Sequence, residues 1–194
     1  MFENMTLAQY NEILASKSPT PGGGSALAMV GTIACSLVEM SINVTLGKLD
    51  DSNIVKSLLQ SHVSFFVKAR NCLFQLSNDD AQAFRHIVDC MHLPQETSQQ
   101  VLVKKSELQK AYHRATLVPL DVMRICREAL NRAQNKVYPL LYKYVASDCK
   151  IGIDLFGSIL ENSMENVYAN TTLIADKDLA AMLEKQAKEI LGKE

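Results

Sequence analysis

Ser18-Pro19-Thr20-Pro21-Gly22-Gly23-Gly24-Ser25, running straight into ALAMVGTIACSLVEMSINVTLGK, constrains this chain more than any other stretch. Two prolines fix φ and push the residues before them, Ser18 and Thr20, toward extended backbone. Three glycines then allow a backbone or ligand to come close, and Ser25 is a suitable N-cap for a helix beginning there. From Ala26 to Lys48 the chain is apolar almost all round, with Glu39 its only charge before Lys48. That pattern predicts a buried helix entered from a glycine turn. Free N–H groups at such a helix start form an anion site by geometry and dipole. Gly24, Ala28, Gly31 and Cys35 recur at helical spacing, leaving a stripe without bulk that another helix, or a flat ligand, can approach. No strand precedes the glycines and no P-loop lysine comes after them, so a nucleotide site is a poor reading.

The rest of the chain is patterned for helices. Thr6-Leu7-Ala8-Gln9 reads as a capping box opening a short helix with Leu7, Tyr10 and Leu14 on one face. Beyond Gly47, a plausible helix stop, Asp50, Asp51 or Ser52 can start a third helix. Its apolar positions run from Val55 through Leu59, Phe66 and Leu73 at a spacing of three and four. Asn78-Asp79-Asp80 either breaks that helix or is a polar insert in a longer one reaching Leu93. Thr97 or Ser98 can cap a helix from about Gln99 to Arg132, with a kink expected at Pro119. Pro139 suits the first turn of a short helix over 137–145. Ser147-Asp148 can cap another to about Asn170, and Asp176 a last one. No segment alternates as a strand. The expectation is one domain, residues 1–194, folded as an all-α antiparallel bundle of long helices.

Composition narrows the function classes. A net charge of −1 without a basic block argues against nucleic acid. Five cysteines without CxxC pairing argue for reduced thiols in the cytoplasm. No secretory signal is visible in MFENMTLAQYNE. The apolar run Ala26–Val38 is too short to span a bilayer before Glu39 interrupts it, since about 20 residues are needed.

Candidate chemistry rests on a few residues. Asn78-Asp79-Asp80 places carboxylates in an apolar helical stretch, where burial shifts their pKa toward useful values, or else marks a solvated cap. Ser147-Asp148 is a second acidic candidate, or a plain N-cap. Glu39 needs a partner, which a lysine or arginine across a dimer interface could supply. His62 reads as a core histidine. His86, Cys90 and His92 lack a suggestive fourth ligand, so no metal is expected. Cys35 has no nearby histidine and reads as core. Asn166 and Asn170, four apart on one helix face, can read a planar polar heterocycle or bond between helices.

Together these residues resemble the cyclodeaminase/cyclohydrolase family, which includes the C-terminal half of formiminotransferase-cyclodeaminase and stand-alone methenyltetrahydrofolate cyclohydrolases. The resemblance is carried by Pro19-Thr20-Pro21-Gly22-Gly23-Gly24-Ser25, Thr45-Leu46-Gly47-Lys48 and Asp80-Ala81-Gln82-Ala83-Phe84. Leu93-Pro94, Val118-Pro119-Leu120, Ser147-Asp148 and Asn166-Val167-Tyr168-Ala169-Asn170 continue it, in order, across nearly the whole chain. It implies a homodimer acting on a tetrahydrofolate derivative as substrate, with no permanently bound cofactor and no metal. It also implies Asp80 and Asp148 as acid/base or pterin-binding groups. Pro21, Gly22, Gly23, Gly24, Ser25, Lys48, Asn166 and Asn170 would hold the substrate. Two starts of separate helical segments are expected to bring Asp80 and Asp148 to one end of the bundle. The chain departs from the family at Leu141-Tyr142, where many members carry Gly-Asn, and at Asn162-Ser163, where many carry Gly-Ala. A non-catalytic helical folate-binding or scaffold dimer is the alternative these departures raise.

Overall fold

The glycine-led helix is the centre of the molecule. A computed structural model describes residues 1–192, and among them every regular element is helical. The elements are α1 (Leu7–Leu14), α2 (Gly23–Leu46), α3 (Ile54–Met91), α4 (Ser98–Arg132), α5 (Ala146–Thr171) and α6 (Lys177–Leu191). α2 packs against α3 on one side and α5 on the other, and α4 closes the bundle between α3 and α5. Ser25 meets Ser77 and Gly31 meets Leu73, so α2 and α3 run antiparallel. Gly152 meets Ala34, and the Ser41 hydroxyl donates to the Val145 carbonyl at 3.1 Å, so α2 and α5 are antiparallel too.

Capping sets the helix starts. Thr6 and Gln9 form the expected capping box of α1, and Thr97 with Gln100 forms a second at α4. Three starts differ from the sequence reading, that of α5, which opens at Ala146 ahead of Ser147-Asp148, among them. α3 is capped by Asn53, whose side chain accepts from the Val55 N–H at 2.9 Å, rather than by an earlier acid or serine. α2 is capped by Gly22, not Ser25. The Ser25 hydroxyl is instead fully buried, donating to the Ser77 carbonyl at 2.8 Å and lying 3.2 Å from the Tyr10 hydroxyl. It ties α1, α2 and α3 together. Asn78-Asp79-Asp80 proves to be an insert within one continuous α3. In place of the helix expected over 137–145, a π-helical turn (Ala133–Val137) leads into two 3-10 turns, Tyr138–Leu140 and Lys143–Val145, which extended backbone at Leu141 and Tyr142 separates.

The small-residue stripe is where α3 settles onto α2. A Cβ on Gly31 would stand 3.0 Å from Leu73 Cδ1, already tighter than ordinary contact. Gly31→Leu should therefore destabilise the fold by about 1–3 kcal/mol through overpacking, read as a lowered denaturation midpoint at an unchanged m-value. Glu39 finds its cation inside the chain and not across an interface: Arg70 donates to both its carboxylate oxygens, at 2.8 and 3.3 Å. By length and composition alone Gly23–Leu46 is sufficient to cross a membrane. Here it lies against α3 and α5, with Ser25, Ser41 and Thr45 buried and their hydroxyls bonded. Burial pushes the Cys35 thiol up to about 12, which suits a core role.

Candidate active site

α2 ends short of its neighbours, and a cavity of about 250 Å³ opens over its N-terminus. The floor is Gly22, Gly23 and Gly24. Asp80, Phe84 and Ile87 of α3 form one wall, Ala115 of α4 a second, and Asn166 and Asn170 of α5 a third. The first N–H groups of a helix have no partner in their own ladder. Ser25 N–H donates to Asp80 Oδ2 at 2.8 Å, while those of Gly23 and Gly24 have no acceptor among the described residues.

Asp80 lies directly over Gly24. A Cβ on that glycine would stand 2.2 Å from Asp80 Oδ1, an impossible approach. The glycine is thus required for the carboxylate to sit where it does, and Oδ1 is left without a hydrogen-bond donor among the described residues. Burial raises the proton affinity of Asp80 above its ordinary value, with the Ser25 N–H opposing the rise. A carboxyl tuned upward in a cavity suits proton transfer near neutral pH. Its two neighbours serve the fold. Asn78 accepts from the Phe2 N–H and donates to Glu3, and Asp79 accepts from Gln75.

The two asparagines differ in what they offer. Pro119 has no N–H, so the Ala115 carbonyl one turn back lacks its helical partner. Asn170 Nδ2 donates to that carbonyl at 3.1 Å. Asn170 is thereby fixed in the cavity wall with one amide proton engaged. Asn166 Nδ2 is buried with no hydrogen-bond partner among the described residues. A buried donor left unpaired costs about 1–3 kcal/mol, a cost that a ligand acceptor would remove.

Two expected site residues lie elsewhere. Asp148 is in the first turn of α5, eighteen residues before Asn166 and so about 27 Å away along the helix axis. Ser147 and Asp148 are inside that helix rather than capping it. Lys48 is exposed just beyond the C-terminal end of α2. The structure therefore brings Asp80, Gly22, Gly23, Gly24, Asn166 and Asn170 together, and leaves Asp148 and Lys48 at the far end. Pro21 is buried beneath the loop, and Ser25 reaches the site only through its N–H. A larger groove of about 730 Å³ runs between α4 and α5, but its charged Lys150 and Asp154 pair with each other in solvent and it holds none of the glycine loop. Among the described residues no cluster of three or more His, Cys, Asp or Glu is arranged for a metal ion.

The sequence pattern of residues 6–189 matches the model of the formiminotransferase-cyclodeaminase family. The chain belongs to that family. It is 31% identical over 195 residues to a methenyltetrahydrofolate cyclohydrolase of Methylorubrum extorquens, covering 99% of this chain and 90% of that one. It is 26% identical to a formimidoyltransferase-cyclodeaminase of Dictyostelium discoideum, matching 97% of this chain but only 34% of that longer protein. The fold superposes on a formiminotetrahydrofolate cyclodeaminase of Thermotoga maritima with a TM-score of 0.80 at 26% identity, over 99% of this chain and 98% of that one.

The departures from the family pattern fall outside the cavity. Tyr142 donates its N–H to Thr45 Oγ1 at 3.0 Å near the far end of α2, Asn162 bonds back to Ser158 on the exposed face of α5, and Ser163 is buried. Cavity walls that sequence reasoning missed, Ile87 and Ala115, look like ordinary core positions. The one available signal was Asp80-Phe84-Ile87, which repeats at helical spacing on a single face.

Proposed function

We propose that this chain is a tetrahydrofolate one-carbon enzyme, a methenyltetrahydrofolate cyclohydrolase or a formimidoyltetrahydrofolate cyclodeaminase, with Asp80 as its proton carrier. The observation that carries the reading is the Asp80 carboxylate: one oxygen held by the Ser25 N–H, the other free at the cavity, and its proton affinity raised by burial. In cyclohydrolysis, water adds to the methenyl carbon and Asp80 takes its proton. The bond from carbon to N5 then breaks, N5 receives a proton, and 10-formyltetrahydrofolate leaves with one proton released. In cyclodeamination, N10 attacks the formimino carbon and Asp80 takes the N10 proton. Asp80 passes it to the departing nitrogen, which with one further proton from solvent leaves as ammonia. Both reactions pass a proton at the same carbon, so one carboxylate serves either.

The remaining groups fit a folate ring. The Gly23 and Gly24 N–H groups suit a carbonyl or anionic edge. Asn166 Nδ2 and the free oxygen of Asn170 present a donor and an acceptor side by side. Asn166→Ala should raise KM about tenfold while leaving the apo protein as stable as the parent or more so, since it removes an unpaired buried donor. Michaelis kinetics beside thermal melts check both halves. No departure from the family pattern lines the cavity, which supports turnover over a binding-only scaffold. The reading also takes residues 1–194 as one domain, working in the cytoplasm without a permanently bound cofactor, and as a homodimer. Purified protein incubated with each substrate tests it: the methenyl absorbance should decay with the first or grow with the second. No change with either defeats the proposal.

A further inference from the structure

We propose that Phe84 is the selectivity wall of the cavity, a bare aromatic ring that stacks on the one-carbon ring of the substrate and favours its cationic form; this rests on the folate reading above. Three observations carry it. First, the ring is left uncovered. Phe84 is 42% exposed, whereas Phe2, Phe66 and Phe156 are buried and Phe65 and Phe74 half-buried. An exposed phenylalanine forgoes the stabilisation of burial, and Phe84 does so where it lines the cavity. Among the described residues its ring has no aromatic neighbour and no cation over it. Phe2, by contrast, pairs with Tyr10, and Phe65 meets both Phe66 and Arg132.

Second, the register of α3 sets the ring beside the proton carrier. Phe84 follows Asp80 by one turn of a continuous helix, so the two are surface neighbours with Cβ atoms about 5–6 Å apart. A flat group lying on the ring therefore holds its reacting carbon next to the carboxylate. Third, the rest of the lining suits a flat group. Among the described lining residues Asp80 is the one ionisable side chain and Phe84 the one aromatic ring. Glycines and the alanines Ala83, Ala115 and Ala169 make up much of the remainder and leave the space between the walls open. α5 stands diagonal to α3, since each packs on α2 and α4, so its asparagines face the Phe84 wall across the cavity.

The chemistry of the one-carbon ring gives this wall its selectivity. In methenyltetrahydrofolate one carbon joins N5 to N10, and a positive charge is spread over both nitrogens. Cyclohydrolysis begins with that cation and cyclodeamination ends on it. An aromatic face attracts a cation, and does so more strongly where water is excluded. The Asp80 carboxylate adds to the attraction from the neighbouring turn. Ring opening to the formyl product removes the charge, which loosens the product's hold on Phe84 and favours its release. Leucine at this position would keep the apolar bulk and lose the π face, whereas tyrosine would keep both.

Equilibrium dialysis tests the wall without turnover. The protein carries Asp80→Asn, so that bound methenyltetrahydrofolate survives, and the buffer is mildly acidic, where the methenyl ring persists. Affinity is measured for that cation and for 5-formyltetrahydrofolate, which carries a one-carbon unit without the ring cation. The readout is the ratio of the two affinities, because general damage to the site weakens both ligands and cancels. Adding Phe84→Leu should lower the ratio about fivefold in favour of the neutral ligand, the size of a partly exposed cation–π contact. Adding Phe84→Tyr should leave the ratio where it was. An unchanged ratio in Phe84→Leu, whether both affinities hold or both fall together, overturns the proposal while the folate reading stands. So does a tyrosine variant that behaves like the leucine one. A parent chain that binds neither folate defeats the folate reading itself, and the selectivity wall with it.

Discussion

Asp80→Asn should slow turnover by about 10²–10⁴-fold, the usual contribution of a positioned acid–base group, with the fold intact. Asparagine keeps the shape and can still accept the Ser25 N–H, but it cannot take a proton. Stability should move the other way. Burial raises the folded-state pKa of Asp80 above its unfolded value. The folded state then holds the proton more tightly, so this group favours folding below its unfolded pKa and loses that favour as pH rises through the folded one. At neutral pH the ionised carboxylate is a burden on the fold, and its amide replacement should melt at the same temperature or higher. Kinetics and melting curves on one preparation separate the two effects. A variant that loses activity because it unfolds contradicts the assignment.

Gly24→Ala should be nearly as damaging, although it adds a single methyl group. That methyl would sit 2.2 Å from Asp80 Oδ1 and 2.8 Å from its Cγ. The carboxylate must swing away, which breaks its bond to the Ser25 N–H and moves the proton carrier. Misplacement of a reacting group by about 1 Å can lose about 10²-fold in rate, and a loss of at least that size is expected in kcat. Gly23→Ala is the control. A Cβ there meets nothing within 4 Å, so its kcat should stay near that of the parent. Equal damage from both substitutions would mean that the loop, and not the position of Asp80, governs the rate.

The contrast between these glycines was not legible in the sequence, where they are three identical letters. Periodicity, by contrast, made the long helices and the apolar α2 legible from spacing alone. The asparagine pair lines the cavity because α5 runs antiparallel to α2, which sets its C-terminal end over the glycines. Two of the expectations that failed show the physical reason most clearly. Ser25 looked like the cap by residue type, but its hydroxyl is committed to Ser77 and Tyr10, and Gly22 caps through backbone alone. Asp80 and Asp148 were expected at one end because each was read as starting a helix. Asp80 is instead deep within the 38-residue α3, whose N-terminus lies toward the other end of the bundle. The link from Pro119 through the Ala115 carbonyl to Asn170 was also hidden, since the sequence announces a missing donor but not the residue that replaces it.

The dependence of kcat on pH, measured for the parent and for Asp80→Asn on whichever folate is turned over, tests the central claim most directly. The account predicts a parent rate that rises with pH through an apparent pKa above the ordinary aspartate range, as Asp80 ionises and becomes able to take a proton. That limb should be missing from the profile of Asp80→Asn. A limb of the same position and depth in both proteins would place the proton transfer on another group and contradict the account.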